Sequence, residues 1–229
     1  MSEFAFETDW FINAIRKHTV VTDATGLDNS YVKLERRKVP SITVAPIVTG
    51  RIDRATVEAV FKSGIPTVIS LIPKLSHYDW SARRFAEDNK STIHTIKELY
   101  TFMNKPDPRP LVDKNVSYNR DRLGQHAKVQ AVEMICEASM RLERHGGLDD
   151  VTVAIEYEYE FSEEAVVRAL TRHPGVDVIL NSNPNGRPTS AALSHARHAG
   201  VPIFSLGELM GALNYEGERF RTYQPARGT

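Results

Sequence analysis

Short apolar runs alternate with amphipathic stretches along most of this chain, and the alternation occurs twice. "ITVAPI" (42–47) is followed by the helical pattern around "ATVEAV" (55–60), then by "TVISLIP" (67–73), a second helical pattern, and a third apolar run near Ile93. The same order returns with "VTVAIE" (151–156), "AVVRAL" (165–170), "VDVILNSNP" (176–184), an alanine-rich helix, and Ile203. Periods of about two and 3.6 residues distinguish strand from helix in each stretch. Each copy therefore reads as βαβαβ.

A shift of about 110 residues lays Glu98-Leu99 on Glu208-Leu209, Ile93 on Ile203, and Ala82 and Ala86 on Ala192 and Ala196. Runs such as "TVISLI" and "VDVILN" lack polar alternation, which suits parallel strands buried on both faces by crossover helices. Gly64, Gly175 and Gly200 stand where a helix gives way to a strand, a position that favours the left-handed backbone of glycine. The expected class is α/β, with two tandem βαβαβ copies on Rossmann-like or restriction-endonuclease-like halves.

Ahead of the first copy, "ETDWFINAIRKH" reads as a helix, and "TVVTDAT" and "SYVKLERRKV" read as an antiparallel hairpin turning at "GLDN". Between the copies, Leu123, Ala127, Ala131, Ile135, Ala138 and Leu142 form one apolar stripe ending at Gly146-Gly147. The stripe predicts a long bracing helix, with Cys136 beside it as a small buried hydrophobe. The expected organisation is 1–104 for helix, hairpin and first copy, 105–150 for loop and brace, 151–214 for the second copy, and 215–229 for a polar tail anchored by Phe220 and Tyr223.

Charge adds a constraint. Lysine plus arginine equal aspartate plus glutamate at 29 each, so the broad basic footprint of a general nucleic-acid binder is missing and only a local patch such as "KLERRK" (33–38) offers one. The lone Cys136 forms no internal disulfide, no apolar run reaches membrane-spanning length, and "MSEFAFETDW" lacks a signal-peptide layout. A soluble, cytoplasmic protein without a membrane partner is expected; a homo-oligomer or a protein partner is compatible with the sequence.

Chemistry is expected at the carboxyl ends of the parallel strands, where helix N-termini converge. After the second copy's middle strand, Asn181, Asn183, Arg187 and Thr189 are candidate phosphate or carboxylate ligands, with Lys74 joining them from the first copy in a nucleotide or small-anion site between the two. In "AIEYEYEF" the two-residue period sets Glu156, Glu158 and Glu160 on one face and Tyr157, Tyr159 and Phe161 on the other. Such carboxylates could hold Mg²⁺ for phosphodiester cleavage, with Lys33 or Arg187 balancing charge, or simply face water while the aromatic side enters the core. His195 and His198 are a pair at helical spacing without a third metal ligand at a recognisable distance in sequence, and read as a surface pair. Walker, GxGxxG, GxSxG and HExxH motifs are absent.

The run "VDVILNSNPNGRPTSAALSHARHAGVPIFSLGELMGAL" resembles the closing section of Mrr-type restriction-endonuclease-like domains, and the first copy with its preceding helix and hairpin looks like a fuller version of that scaffold. The resemblance covers about half the chain. It implies DNA cleavage by an acidic residue and an acid-x-Lys or Gln-x-Lys pair on the central hairpin. Here the corresponding strand reads "VAPIV" in the first copy, while the second sets Glu156 at the acid position and Glu158 at the lysine's. What it implies is thus a non-catalytic or degenerate nuclease-like recognition module, in nucleic-acid metabolism or defence. A nuclease using Glu156 and Glu158, or a nucleotide sensor, is the alternative.

Overall fold

The computed structural model describes residues 4–72 and 76–225, and the chain divides after Asp113 into two units. In the first, β1 (Ala5–Phe6) and helix α1 (Thr8–Ile15) precede the hairpin β2 (Val21–Gly26) and β3 (Val32–Arg36), then β4 (Val39–Val48) and β5 (Arg51–Ile52). There follow α2 (Arg54–Phe61), β6 (Val68–Leu71), β7 (His77–Tyr78), α3 (Trp80–Asp88), β8 (Ile93–Thr95) and α4 (Ile96–Phe102). The second unit opens with α5 (Lys114–Gly124), β9 (Val129–Cys136), β10 (Ser139–Arg144), β11 (Val151–Glu156), β12 (Glu160–Phe161) and α6 (Glu163–Arg172). It continues with β13 (Val178–Asn181), β14 (Arg187–Pro188), α7 (Ser190–His198), β15 (Ile203–Phe204), α8 (Leu206–Ala212) and α9 (Gly217–Arg221).

Each unit is built on a mixed sheet, and the two sheets share one plan. The strand orders are β2-β3-β4-β6-β8 and β15-β13-β11-β10-β9, with β1 added to β4 in the first. Taken in chain order, β2, β3 and β4 and likewise β9, β10 and β11 pair antiparallel, whereas β4, β6 and β8 and likewise β11, β13 and β15 pair parallel. The fold is α/β. Strands β6 and β13 are buried at every position, which explains why neither shows a polar alternation, Ser70 and Asn181 being their only polar residues. In the first unit Ala45, Ile47, Ile69, Leu71 and Ile93 pack with Val57, Val60, Ala82 and Ala86 of α2 and α3. The opposite face of that sheet packs Val44 and Val68 with Phe11 and Ile15 of α1 and Leu99 of α4.

The repeated Glu-Leu has a local cause. Thr95 and Ser205 cap α4 and α8, each accepting from the backbone of the glutamate three residues on, while Glu98 and Glu208 reach back to the cap's own N–H. This reciprocal box satisfies two otherwise orphaned donors. The following leucines, Leu99 and Leu209, are fully buried.

The long bracing helix does not form. Of its six stripe residues only Leu123 is helical; Ala131 and Ile135 lie in β9, Leu142 lies in β10, and Ile135 is 42% exposed. A spacing of four is even as well as helical, so it also fits a strand, and pairing of β9 with β10 and β10 with β11 decides the outcome. Gly146 and Gly147, both at positive φ, turn β10 into β11 rather than ending a helix. Consequently the helix and hairpin seen before β4 have counterparts before β11. In the tail, Phe220 is buried against Phe204 and Tyr223 stacks on Tyr215; the last four residues lie outside the described residues.

Candidate functional site

Register fixes which side chains meet at the carboxyl ends of the second unit's parallel strands. Glu156 is level with Asn181, and the turn between β9 and β10 returns to the same end, with Ser139 level with Ala154 and Ile155 N donating to Ala138 O at 2.7 Å. This gathers Cys136, Glu137, Ser139, Glu156 and Asn181. Helix α6 supplies Arg168 and Arg172, and its C-cap is His173: Arg172 Nη2 donates to Glu137 Oε1 at 2.8 Å, and Arg168 is ion-paired with Glu158.

Glu156 lies among these pairs, only 8% exposed, and its Oε1 is buried without a hydrogen-bond partner among the described residues, as is Arg172 Nε. Burial pushes its carboxyl above the ordinary value. Arg172 and Arg168 pull it back, and the neighbouring Glu158 and Glu137 push it up again. The Cys136 thiol lies 2.9 Å from Ser139 Oγ and 3.5 Å from His173 Nδ1. Desolvation, aided by Glu137, pushes the thiol up to about 12, so it carries no nucleophilic thiolate at neutral pH.

The acidic strand differs from its expected form. β11 ends at Glu156, so the two-residue alternation stops there; Tyr157 and Tyr159 are 52% and 74% exposed, while Phe161 is buried. The first carboxylate is therefore the buried member and two of the three rings face water. Asn181 holds this segment in place: its Oδ1 accepts from Glu158 N at 3.2 Å and its Nδ2 donates to Glu158 O at 3.1 Å. Asn183 Oδ1 accepts from Asn185 N, and Thr189 accepts from Ala192 N as the cap of α7. Arg187 is exposed, tied through its backbone to Tyr159 O at 2.9 Å. Lys33 is paired with Glu35 on the surface at 2.7 Å. Lys74 lies outside the described residues.

Thus Glu156, Glu158, Asn181 and Asn183 do come together, but the asparagines are committed to shaping loops. Glu137, Arg168 and Arg172 are not among the sequence candidates; Glu137 lies in the turn after β9, a stretch whose apolar spacing predicts helix. The two arginines were legible as neighbours four residues apart on α6.

At the equivalent place in the first unit the filling is apolar. Ile47 takes the position of Glu156 at the strand end and is fully buried. Tyr31, at the hairpin turn, sets its hydroxyl 2.6 Å from Val60 O and 2.8 Å from Gly64 O, and burial pushes that hydroxyl up to about 12. The first unit's own polar cluster is structural. Arg83, fully buried, donates to Glu87, Tyr78 and the carbonyl of Leu111, and His94 Nε2 donates to Pro108 O at 2.9 Å, pinning the segment that leaves α4.

Among the described residues, no group of three or more His, Cys, Asp or Glu is arranged to hold a metal ion, and no helix is long and apolar enough to cross a membrane. Compared with protein-family models, with curated proteins and with solved structures, the chain matches none of them.

Proposed function

We propose that this chain is a recognition module on a duplicated, nuclease-like scaffold, with nucleic acid as the partner class and without phosphodiester hydrolysis. Nucleic acid as the partner class rests on the resemblance of 176–213, and one observation carries the absence of hydrolysis: the carboxylates at the strand ends of the second unit are matched by guanidinium groups, Glu137 by Arg172 and Glu158 by Arg168, with Glu156 buried between them. Metal-assisted cleavage needs carboxylate oxygens presented to a divalent cation. Fixed guanidinium charges a few ångströms away oppose such a cation. Duplication is supported by the shared strand order, pairing senses and capping boxes of the two units.

The test is direct. Labelled single- and double-stranded DNA and RNA are incubated with the purified protein and Mg²⁺ or Mn²⁺, and binding is followed by fluorescence anisotropy. Retention without cleavage is expected. Cleavage that disappears in Glu156→Gln would establish the enzymatic alternative instead, in which Glu156 and Glu158 hold Mg²⁺.

A further inference from the structure

Helix α7 carries His195 and His198 three residues apart, and both line a groove of about 550 Å³ together with Glu163, Ala191, Ser194 and Ala199. Their ring nitrogens are not equivalent. His195 Nδ1 lies 3.0 Å from Glu163 Oε1, and His198 Nδ1 lies 2.7 Å from the carbonyl oxygen of Ser194. A carbonyl oxygen only accepts, and an ionised carboxylate only accepts, so each Nδ1 bears the hydrogen. In the neutral rings the lone pair is therefore on Nε2 in both residues. An oxygen acceptor on one ring nitrogen, fixing the tautomer and orienting the other nitrogen, is the arrangement that metal-ligating histidines adopt.

The corresponding helix pair of the first unit shows that packing alone does not call for these groups. There α2 and α3 meet through Arg54, whose guanidinium lies 4.4 Å from the centroid of Phe85. Counted from the caps Asp53 and Ser162, Arg54 and Glu163 both hold the first position of their helices. Phe85 and His195 both lie one residue before the buried alanines Ala86 and Ala196. Where the first unit sets a cation over a ring, the second sets a carboxylate bonded to an imidazole, with His198 one turn on.

We propose that His195 and His198 chelate one divalent d-block cation of the zinc, nickel or copper type through their Nε2 atoms, with Glu163 as a positioning residue. Side chains three apart on a helix have Cβ atoms about 5–6 Å apart, close enough for two imidazoles to reach one ion at bond lengths of about 2.0–2.1 Å. Imidazole donors select these borderline ions over Mg²⁺ or Ca²⁺, which take oxygen. With two protein ligands, the remaining coordination positions are left to water or to an incoming donor.

Titration calorimetry of the chelator-treated chain, made without a histidine tag, with ZnCl2 and then with NiCl2 and CuCl2 tests this. One equivalent bound per chain is expected. Affinity should fall more than tenfold in His195→Ala and in His198→Ala, and by roughly tenfold in Glu163→Gln, which keeps both ligands but loses the charged acceptor. Unchanged circular dichroism and thermal unfolding of the metal-free variants would separate loss of the site from loss of the fold. Failure to bind at tenfold excess of each metal, or a stoichiometry unchanged in the double histidine variant, would overturn the proposal.

Discussion

Arg36 and Arg144, the last residues of β3 and β10, make the same bonds in the two units. Arg36 Nη1 donates to the carbonyls of Met103 and Lys105 at 3.0 and 2.9 Å, and Arg144 Nη1 donates to those of Leu213 and Tyr215 at 3.0 and 2.8 Å. Both side chains are more than nine-tenths buried. Met103 and Leu213 are the C-caps of α4 and α8, whose carbonyls a helix leaves unpaired and where its dipole favours a cation, and Lys105 and Tyr215 follow two residues on. Each arginine thus ties the hairpin to the C-terminal end of the helix that follows the last strand, α4 or α8.

Replacing Arg144 by Met keeps most of the apolar stem and removes the donors. Hydrogen bonds to charged groups contribute about 1.5–3 kcal/mol each, and the abandoned carbonyls would be left buried. Arg144→Met is expected to lower stability by roughly 3 kcal/mol, with Arg36→Met costing about the same. Urea unfolding of the two variants measures it; equal midpoints for variant and parent would contradict the assignment. Arg144→Lys should not restore the parent value, because a single ammonium cannot reproduce the fork.

Acid stability should carry the signature of His94. Burial, with the nearby charge of Arg83, pushes its imidazole down to about 3, against an ordinary value near 6.5. Between those values the unfolded chain binds a proton that the folded chain refuses, so stability is present above about 6.5 and is lost progressively as pH falls toward 3. The loss from this one group is on the order of a few kcal/mol. His94→Gln, which retains a donor for Pro108 O, should flatten the decline of unfolding free energy over this range.

Glu156 should act in the opposite sense. Its carboxyl is raised chiefly by burial, so above the ordinary carboxylate value the folded state holds the proton more tightly than the unfolded chain. Stability contributed by this group is present at low pH and is lost as pH rises through the raised value. Glu156→Gln removes the ionisable proton and is expected to raise the unfolding temperature at neutral pH while leaving it nearly unchanged at pH 4. A lower unfolding temperature at neutral pH would mean that the carboxylate is held ionised by Arg168 and Arg172.

What could be read beforehand follows the physics of each signal. The buried parallel strands were legible because "TVISL" and "VDVILN" lack a regular polar alternation, and the hairpin was legible from "GLDN" and its flanking alternation. The segment from Ala127 to Leu142 was not, since a spacing of four satisfies both periods and only neighbouring β11 selects the strand. Burial of Glu156 was equally hidden. Alternation assigns faces within an extended run but does not say where the run ends, and the partners Glu137 and Arg172 are 35 residues apart in the chain. Asn181, the last residue of β13, and Asn183 lie beside the acids, but their amides serve the loop.

That loop gives the sharpest steric prediction. A Cβ at Gly186 would come 2.4 Å from Asn181 Nδ2 and 2.4 Å from the backbone oxygen of Glu158, whereas one at Gly207, in α8, would meet nothing within 4 Å. Gly186→Ala must therefore displace the amide that brackets Glu158, and with it the segment carrying Tyr157, Tyr159 and the Arg168–Glu158 pair. Overpacking of this kind costs about 1–3 kcal/mol. Gly207→Ala should instead stabilise by up to about 1 kcal/mol, because alanine is the better helix former. Thermal unfolding of the pair gives the two signs, and amide hydrogen exchange at Glu158 locates the first effect. Faster exchange there in Gly186→Ala, with no change in Gly207→Ala, is the expected result; equal protection in both would show that Asn181 does not hold the loop over Glu156.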